Sequence, residues 1–149
     1  MPAAFNASLQ AFRYLLGSAV LAGALYCAPA TAEATLYERI GGERLSAIAS
    51  DLVDSSSSDP RTSRSWHKVS LNRVKGVLTV YLCSVTGGPC AYEGDTMKDV
   101  HAGLDITEAE MFTMVQSLRD IMISRDVPLR ERNELLAVLA PAKRDVVTK

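Results

Sequence analysis

The sequence is short of the residues that most site chemistries need. It has two histidines, His67 and His101, three cysteines and one tryptophan in 149 residues. So few cysteines, with no histidine near Cys83 or Cys90 except His101, argue against a zinc site. The serines at 55–58 have no histidine pair beside them, which leaves a hydrolase or transferase without a general base. Gly41-Gly42 and Gly87-Gly88 lack the lysine and spacing of a nucleotide cradle. Charge of one sign is missing as well. Sixteen basic residues face seventeen acidic ones, a net charge of −1 with no long charge run, so neither nucleic acid nor another polyelectrolyte is implied. No strand-like alternation runs through the chain.

The first 32 residues carry one charge, Arg13, and do not read as part of a fold. An apolar run over 14–27, rich in glycine and alanine, precedes Ala28-Pro29-Ala30-Thr31-Ala32, and Ala30-Thr31-Ala32 is an A-x-A cleavage site. The run is shorter than the roughly 20 residues of a spanning helix. Residues 1–32 are read as a secretory signal peptide, with export to the periplasm or another extracytoplasmic space. An uncleaved membrane anchor is the alternative and the only way in which this chain would meet a membrane. Tyr26 before Cys27 disfavours a lipoprotein signal. Residues 33–149 remain as one domain with one core. Cys83 and Cys90 are then an even pair in an oxidising compartment. Two readings stay open, a disulfide or a buried Cys83 packed as a small hydrophobe beside a free Cys90.

The domain reads as all-α. Residues 35–40 form a short helix stopped by Gly41-Gly42. From Glu43 to about Asp54, Leu45, Ile48, Ala49, Leu52 and Val53 share one face. Residues 55–65, four serines followed by Asp59-Pro60, read as a solvated loop that leads to Trp66; too little chain precedes them for an interdomain linker. The longest helical pattern is 69–85, with Val74, Val77, Leu78, Tyr81, Leu82 and Val85 recurring, and Gly87-Gly88-Pro89 ends it. Thr107 and Glu110 make a capping box ahead of the stripe Met111, Met114, Val115, Leu118, Ile121 and Met122. Pro128 suits the first turn of a last helix whose apolar face runs from Leu135 to Val146, and Pro141 should kink or end it.

His101 stands between apolar Val100 and Leu104 just before the capping box. Neutral imidazole is the commonest protein metal ligand, yet on its own a histidine so placed is better explained as a satisfied, half-buried core residue. His67, beside Lys68, reads as solvated.

Taken together, these pieces resemble the group I truncated haemoglobins, small globins with a two-over-two helical sandwich. The matching residues are Leu36-Tyr37-Glu38-Arg39-Ile40-Gly41-Gly42, Asp59-Pro60-Arg61, Gly87-Gly88-Pro89, Tyr92 with Gly94, Met97, His101, Gly103, Ile106-Thr107, Val127-Pro128, Leu139-Ala140-Pro141 and Asp145-Val146. The resemblance implies a haem b cofactor whose iron is held by His101, with the other ring nitrogen donating to a backbone carbonyl. It implies that Trp66 packs on the haem and that Met97, Ile106 and Met111 touch it. Val53, Val74, Leu78 and Leu82 are expected on the cofactor's walls, and Arg73, Lys75 and Lys98 are candidate propionate partners. Val53 and Leu78 stand where the family commonly has a tyrosine and a glutamine, so the pocket around a bound ligand is expected to be apolar. The implied function is binding of a diatomic gas (O₂, NO or CO) with no catalytic residue, and O₂-dependent NO oxidation is disfavoured unless His67 or Tyr81 swings in. A haem carrier or electron-transfer protein with an extracytoplasmic redox partner is the first alternative. A globin-fold interaction module without haem is the second.

Overall fold

The computed structural model describes residues 33–149; the expected signal segment 1–32, with Cys27, lies outside them. Among the described residues every regular element is helical. None of these helices is long and apolar enough to cross a membrane.

Helix α1 (Leu36–Ile40) begins at Thr35, whose hydroxyl accepts from the Glu38 amide while the Glu38 carboxylate accepts from the Thr35 amide, a reciprocal capping box. Gly41, at φ 92°, turns the chain straight into α2 (Gly42–Ser58). A side chain would be strained there. Next door, a Cβ on Gly42 would meet the Tyr37 hydroxyl at 2.2 Å and its ring at 2.7 Å, so the turn also needs a bare backbone.

Helix α2 runs four residues further than its apolar pattern suggests. The serines do not break it, because Ser57 and Ser58 bond their hydroxyls back to the Asp54 carbonyl at 3.1 and 2.7 Å and so stay helical. The end comes at Asp59, which is extended (φ −72°, ψ 121°) as a residue before proline must be. Residues 59–62 turn, and a 3₁₀ segment Ser63–Trp66 follows.

Helix α3 (Leu71–Val85) starts two residues later than its periodicity suggests. Lys68 adopts a left-handed φ of 64°, and Ser70 takes the cap position. After Gly87 (φ 80°), Gly88 donates to the Cys83 carbonyl at 2.8 Å, and a Cβ on it would collide with Cys83 and Tyr37. Cys83 and Cys90 are joined by a disulfide across this turn, with their Cα atoms 5.8 Å apart.

Helix α4 (Met97–His101) is a single capped turn, and α5 (Glu108–Ser124) opens on the Thr107–Glu110 capping box. Pro128 sits at the cap of α6 (Leu129–Leu139), one place outside the first turn. Pro141 ends that helix in a 3₁₀ turn, so Val146 belongs to a separate short helix, α7 (Lys143–Val146). The chain's tail is tied down where Thr148 and Lys149 both donate to the Ile106 carbonyl.

Helix α2 packs against both α3 and α5. The core between the helices is made by Leu45, Ile48, Leu52, Leu82, Met122 and Leu135 with their neighbours. Burial of such side chains is worth about 1.5–3 kcal/mol each. Arg39 fastens α1 to α6 through Glu131 and Glu134, and Arg125 fastens α5 to α2 through Asp51 at 2.6 Å.

Candidate cofactor-binding site

The site is built outward from one short helix. Thr96 accepts a hydrogen bond from the Asp99 amide at 3.2 Å, which starts α4 at Met97. One turn on, His101 places its Nδ1 2.7 Å from the Met97 carbonyl. A carbonyl oxygen can only accept, so Nδ1 carries the proton. In the neutral ring Nε2 then has a free lone pair, the arrangement of a metal-ligating imidazole.

His101 lines a cavity of about 190 Å³. One part of its wall comes from the end of α2, the 3₁₀ segment and the start of α3, through Ser56, Thr62, Ser65, Trp66, Val69 and Val74. The rest comes from α4, the loop after it, α5 and α7, and is largely Val100, Leu104, Ile106, Met111, Met114 and Val146. The surface is overwhelmingly apolar, as a cofactor pocket with a few placed polar groups should be.

Glu110 is the wall's one carboxylate, and three donors converge on its Oε2. It accepts from the Arg64 guanidinium at 2.7 Å and from the Thr107 amide and hydroxyl at 2.8 Å each. The Arg64 hydrogen bond, helped by those of Thr107, holds the carboxyl down at about 2. Arg64 donates as well to the carbonyls of Leu104 (2.9 Å) and Asp105 (2.5 Å). One guanidinium thus joins the segment that bears Ser65 and Trp66 to the loop between α4 and α5.

Five of the residues expected at the cofactor line this cavity: Trp66, Val74, His101, Ile106 and Met111. Four do not. Val53 is wholly buried in α2, Leu82 is 2 % exposed within the core cluster, and Leu78 packs against that cluster. Met97 contributes its carbonyl to His101 and no part of the wall. The three-and-four periodicity that marks Leu78 and Leu82 is the mark of a helix facing the core. The expectation of an apolar ligand side rested on Val53, Leu78 and Val74, and only Val74 reaches the cavity.

Among the candidate propionate partners, Lys75 is paired with Asp54 at 2.7 Å, while Arg73 and Lys98 are exposed. His67 is exposed, and Tyr81 stacks edge-on against Tyr92, with centroids 5.3 Å apart. Neither lines the cavity.

Sequence reasoning missed the hydroxyls of Ser56 and Ser65. Continuing the α2 face from Ala49 through Leu52 and Val53 by one more turn would have reached Ser56. It missed Val146 as a wall residue because α6 and α7 read as one helix.

Among the described residues no cluster of three His, Cys, Asp or Glu side chains could hold a metal ion. A lone imidazole aimed at an apolar cavity suits a metal that brings its remaining ligands with it, as a porphyrin does.

Comparison with known proteins points the same way. The profile of the bacterial-like globin family matches residues 35–148. A group 1 truncated haemoglobin, GlbN, of Mycolicibacterium paratuberculosis is 30% identical over 116 residues, covering 77% of this chain and 85% of its own. A group 1 truncated haemoglobin of Tetrahymena pyriformis is 23% identical over 116 residues, covering 77% of this chain and 96% of its own. The crystal structure of truncated haemoglobin from Tetrahymena pyriformis in its Fe(III) form superposes with a TM-score of 0.73 at 22% identity, over 78% of this chain and 100% of that one. The all-α class expected from the residues, and the two-over-two globin architecture that the resemblance implied, are those this chain has. From the profile match and the GlbN similarity together, the chain belongs to the bacterial-like globin family, the truncated haemoglobins, whose cofactor is haem.

Proposed function

We propose that this protein is an exported truncated haemoglobin that binds a diatomic ligand at a haem iron held by Nε2 of His101. The observation that carries the reading is the 2.7 Å contact between His101 Nδ1 and the Met97 carbonyl. It sets the tautomer, orients the ring from within its own helix and leaves Nε2 without a partner on a residue that lines an apolar cavity. Trp66, Ile106 and Met111, all on the cavity wall, would hold the flat faces of the porphyrin, and Val74 would stand beside the ligand. The haem supplies the metal coordination position for the gas. The chain supplies the axial ligand, the exclusion of water and the shape of the cavity.

Export rests on residues 1–32, with an apolar run and an Ala30-Thr31-Ala32 cleavage site, and on the Cys83–Cys90 disulfide, which suits an oxidising compartment. An extracytoplasmic redox partner would keep the iron reduced.

The test is an absorption spectrum of the purified protein supplied with haem, beside His101→Ala. A Soret band with ferric and CO-ferrous forms, lost or displaced in the variant, is the expected result. Haem uptake that is equal without His101 would sink the reading. Mass analysis of the secreted protein tests export, with Glu33 as the expected first residue.

A further inference from the structure

Two hydroxyls on the cavity wall, those of Ser56 and Ser65, serve no protein group, and Ser56 is the more buried. Ser56 is 2 % exposed and lines the cavity, and its Oγ is buried with no hydrogen-bond partner among the described residues. Its neighbours on α2 behave otherwise, since Ser57 and Ser58 donate back to the Asp54 carbonyl, the ordinary outcome for a helical serine. The carbonyl of Ser56 is used, accepting from the Thr62 hydroxyl at 2.7 Å. Its own hydroxyl is left free. A buried hydroxyl without a partner is destabilising, so one carried by a residue of the cavity wall points to a partner arriving when the cavity is filled.

We infer that Ser56 is a ligand-binding residue, donating a hydrogen bond from Oγ to the small ligand that the cavity takes beside its cofactor. The inference rests on the haem reading above and goes beyond it by naming the donor. The other polar groups of the wall are less suited. Ionised Glu110 can only accept, and its Oε2 is held by Arg64 and Thr107. The Thr62 proton is directed at the Ser56 and Asp59 carbonyls. Ser65 Oγ is likewise buried without a partner, but Ser65 as a whole is less buried and sits on the 3₁₀ segment. Ser56, on a 17-residue helix, is the more rigidly held of the two hydroxyls. The surrounding valines and methionines keep the local dielectric low, which strengthens the bond a hydroxyl makes there.

The test uses the full chain loaded with haem and CO as the probe, with Ser56→Ala, Ser56→Thr and Ser65→Ala beside the natural protein. The C–O stretching band of the CO-ferrous form should move to higher frequency in Ser56→Ala and stay in place in Ser56→Thr, which keeps the hydroxyl. Release of O₂ should be about 2- to 10-fold faster in Ser56→Ala, the equivalent of one ordinary hydrogen bond. Thermal unfolding of the haem-free chain separates this from a structural role. Ser56→Ala removes only an unpaired group and should be no less stable than the natural protein, whereas a serine bonded within the fold would show a loss. An unchanged C–O band and O₂ release in a Ser56→Ala protein that keeps its Soret band would overturn the inference and leave the haem reading intact. A band that moves only in Ser65→Ala would overturn it in favour of Ser65. A chain that takes up no haem would overturn both.

Discussion

Arg64 and Glu110 lie 46 residues apart in sequence and 2.7 Å apart in space, and their contact joins the two stretches of chain that form the cavity wall. Arg64 also reaches the Leu104 and Asp105 carbonyls just after His101. The pair therefore holds the loop behind the helix that carries His101 against the segment that carries Trp66.

This contact makes stability depend on acid. Glu110 is ionised in the fold down to about pH 2, while an unfolded glutamate takes its proton near 4.5. The folded form is the one with the depressed value, so the contribution is complete above pH 4.5 and fades as pH falls towards 2. Melting temperatures of the natural protein and Glu110→Gln should differ by a few degrees near pH 6 and converge as pH approaches 2. Half of the Arg64 side chain is open to solvent, so the gap corresponds to about 1–2 kcal/mol, well below the full pKa difference. A gap that persists unchanged to pH 2 would show that the glutamine destabilises by misfit.

The cap on α4 sets the angle of His101. Thr96→Ala removes the acceptor for the Asp99 amide from a five-residue helix, a loss of about 0.5–2 kcal/mol confined to that turn. Haem affinity should fall several-fold while the global melting temperature of the haem-free chain hardly moves, because α4 contributes no residue to the core. Equal affinity in the two proteins would mean that the rest of the wall holds the histidine unaided.

The disulfide secures the turn after α3. Breaking it frees a loop of about eight residues, about 2–3 kcal/mol by loop-closure entropy. Denaturant unfolding of Cys90→Ser should show a midpoint lowered by that amount. Added reductant should lower the natural protein to the same value and leave the variant untouched.

Core and cavity should respond differently to truncation. Met122 is fully buried in the core cluster, and Met122→Ala should cost about 2–5 kcal/mol whether or not haem is present. Met111 lines the cavity, and Met111→Ala should weaken haem retention more than it lowers the stability of the haem-free chain. Chemical denaturation with and without haem separates the two effects.

Local signals explain what could be read directly from the residues. The Thr107–Glu110 box starts α5 because its two partners are three residues apart, and Gly87 ends α3 because φ 80° is open to glycine. The Val74 to Val85 spacing marks a helix whatever surrounds it. His101 stood out by scarcity, and its order relative to the Gly87-Gly88-Pro89 turn and the capping box carried the family resemblance. In the serine run the local signal misled. Serine favours turns in isolation, but back-bonding to Asp54 and the burial of Ser56 kept it helical until Pro60 ended the helix.

By itself the sequence determined the helical class, the capped starts of α1 and α5, the glycine stop after α3 and the histidine, since each depends on contacts within a few residues of chain. Only the tertiary structure decided which apolar side chains face the cavity and which the core. Leu78 and Leu82 are as apolar as Val74 and Met111, and periodicity cannot tell a helix face turned toward a neighbouring helix from one turned toward a ligand. The disulfide, the Arg64–Glu110 clamp and the free hydroxyl of Ser56 follow the same rule, because each is defined by groups that meet, or fail to meet, once the helices have packed.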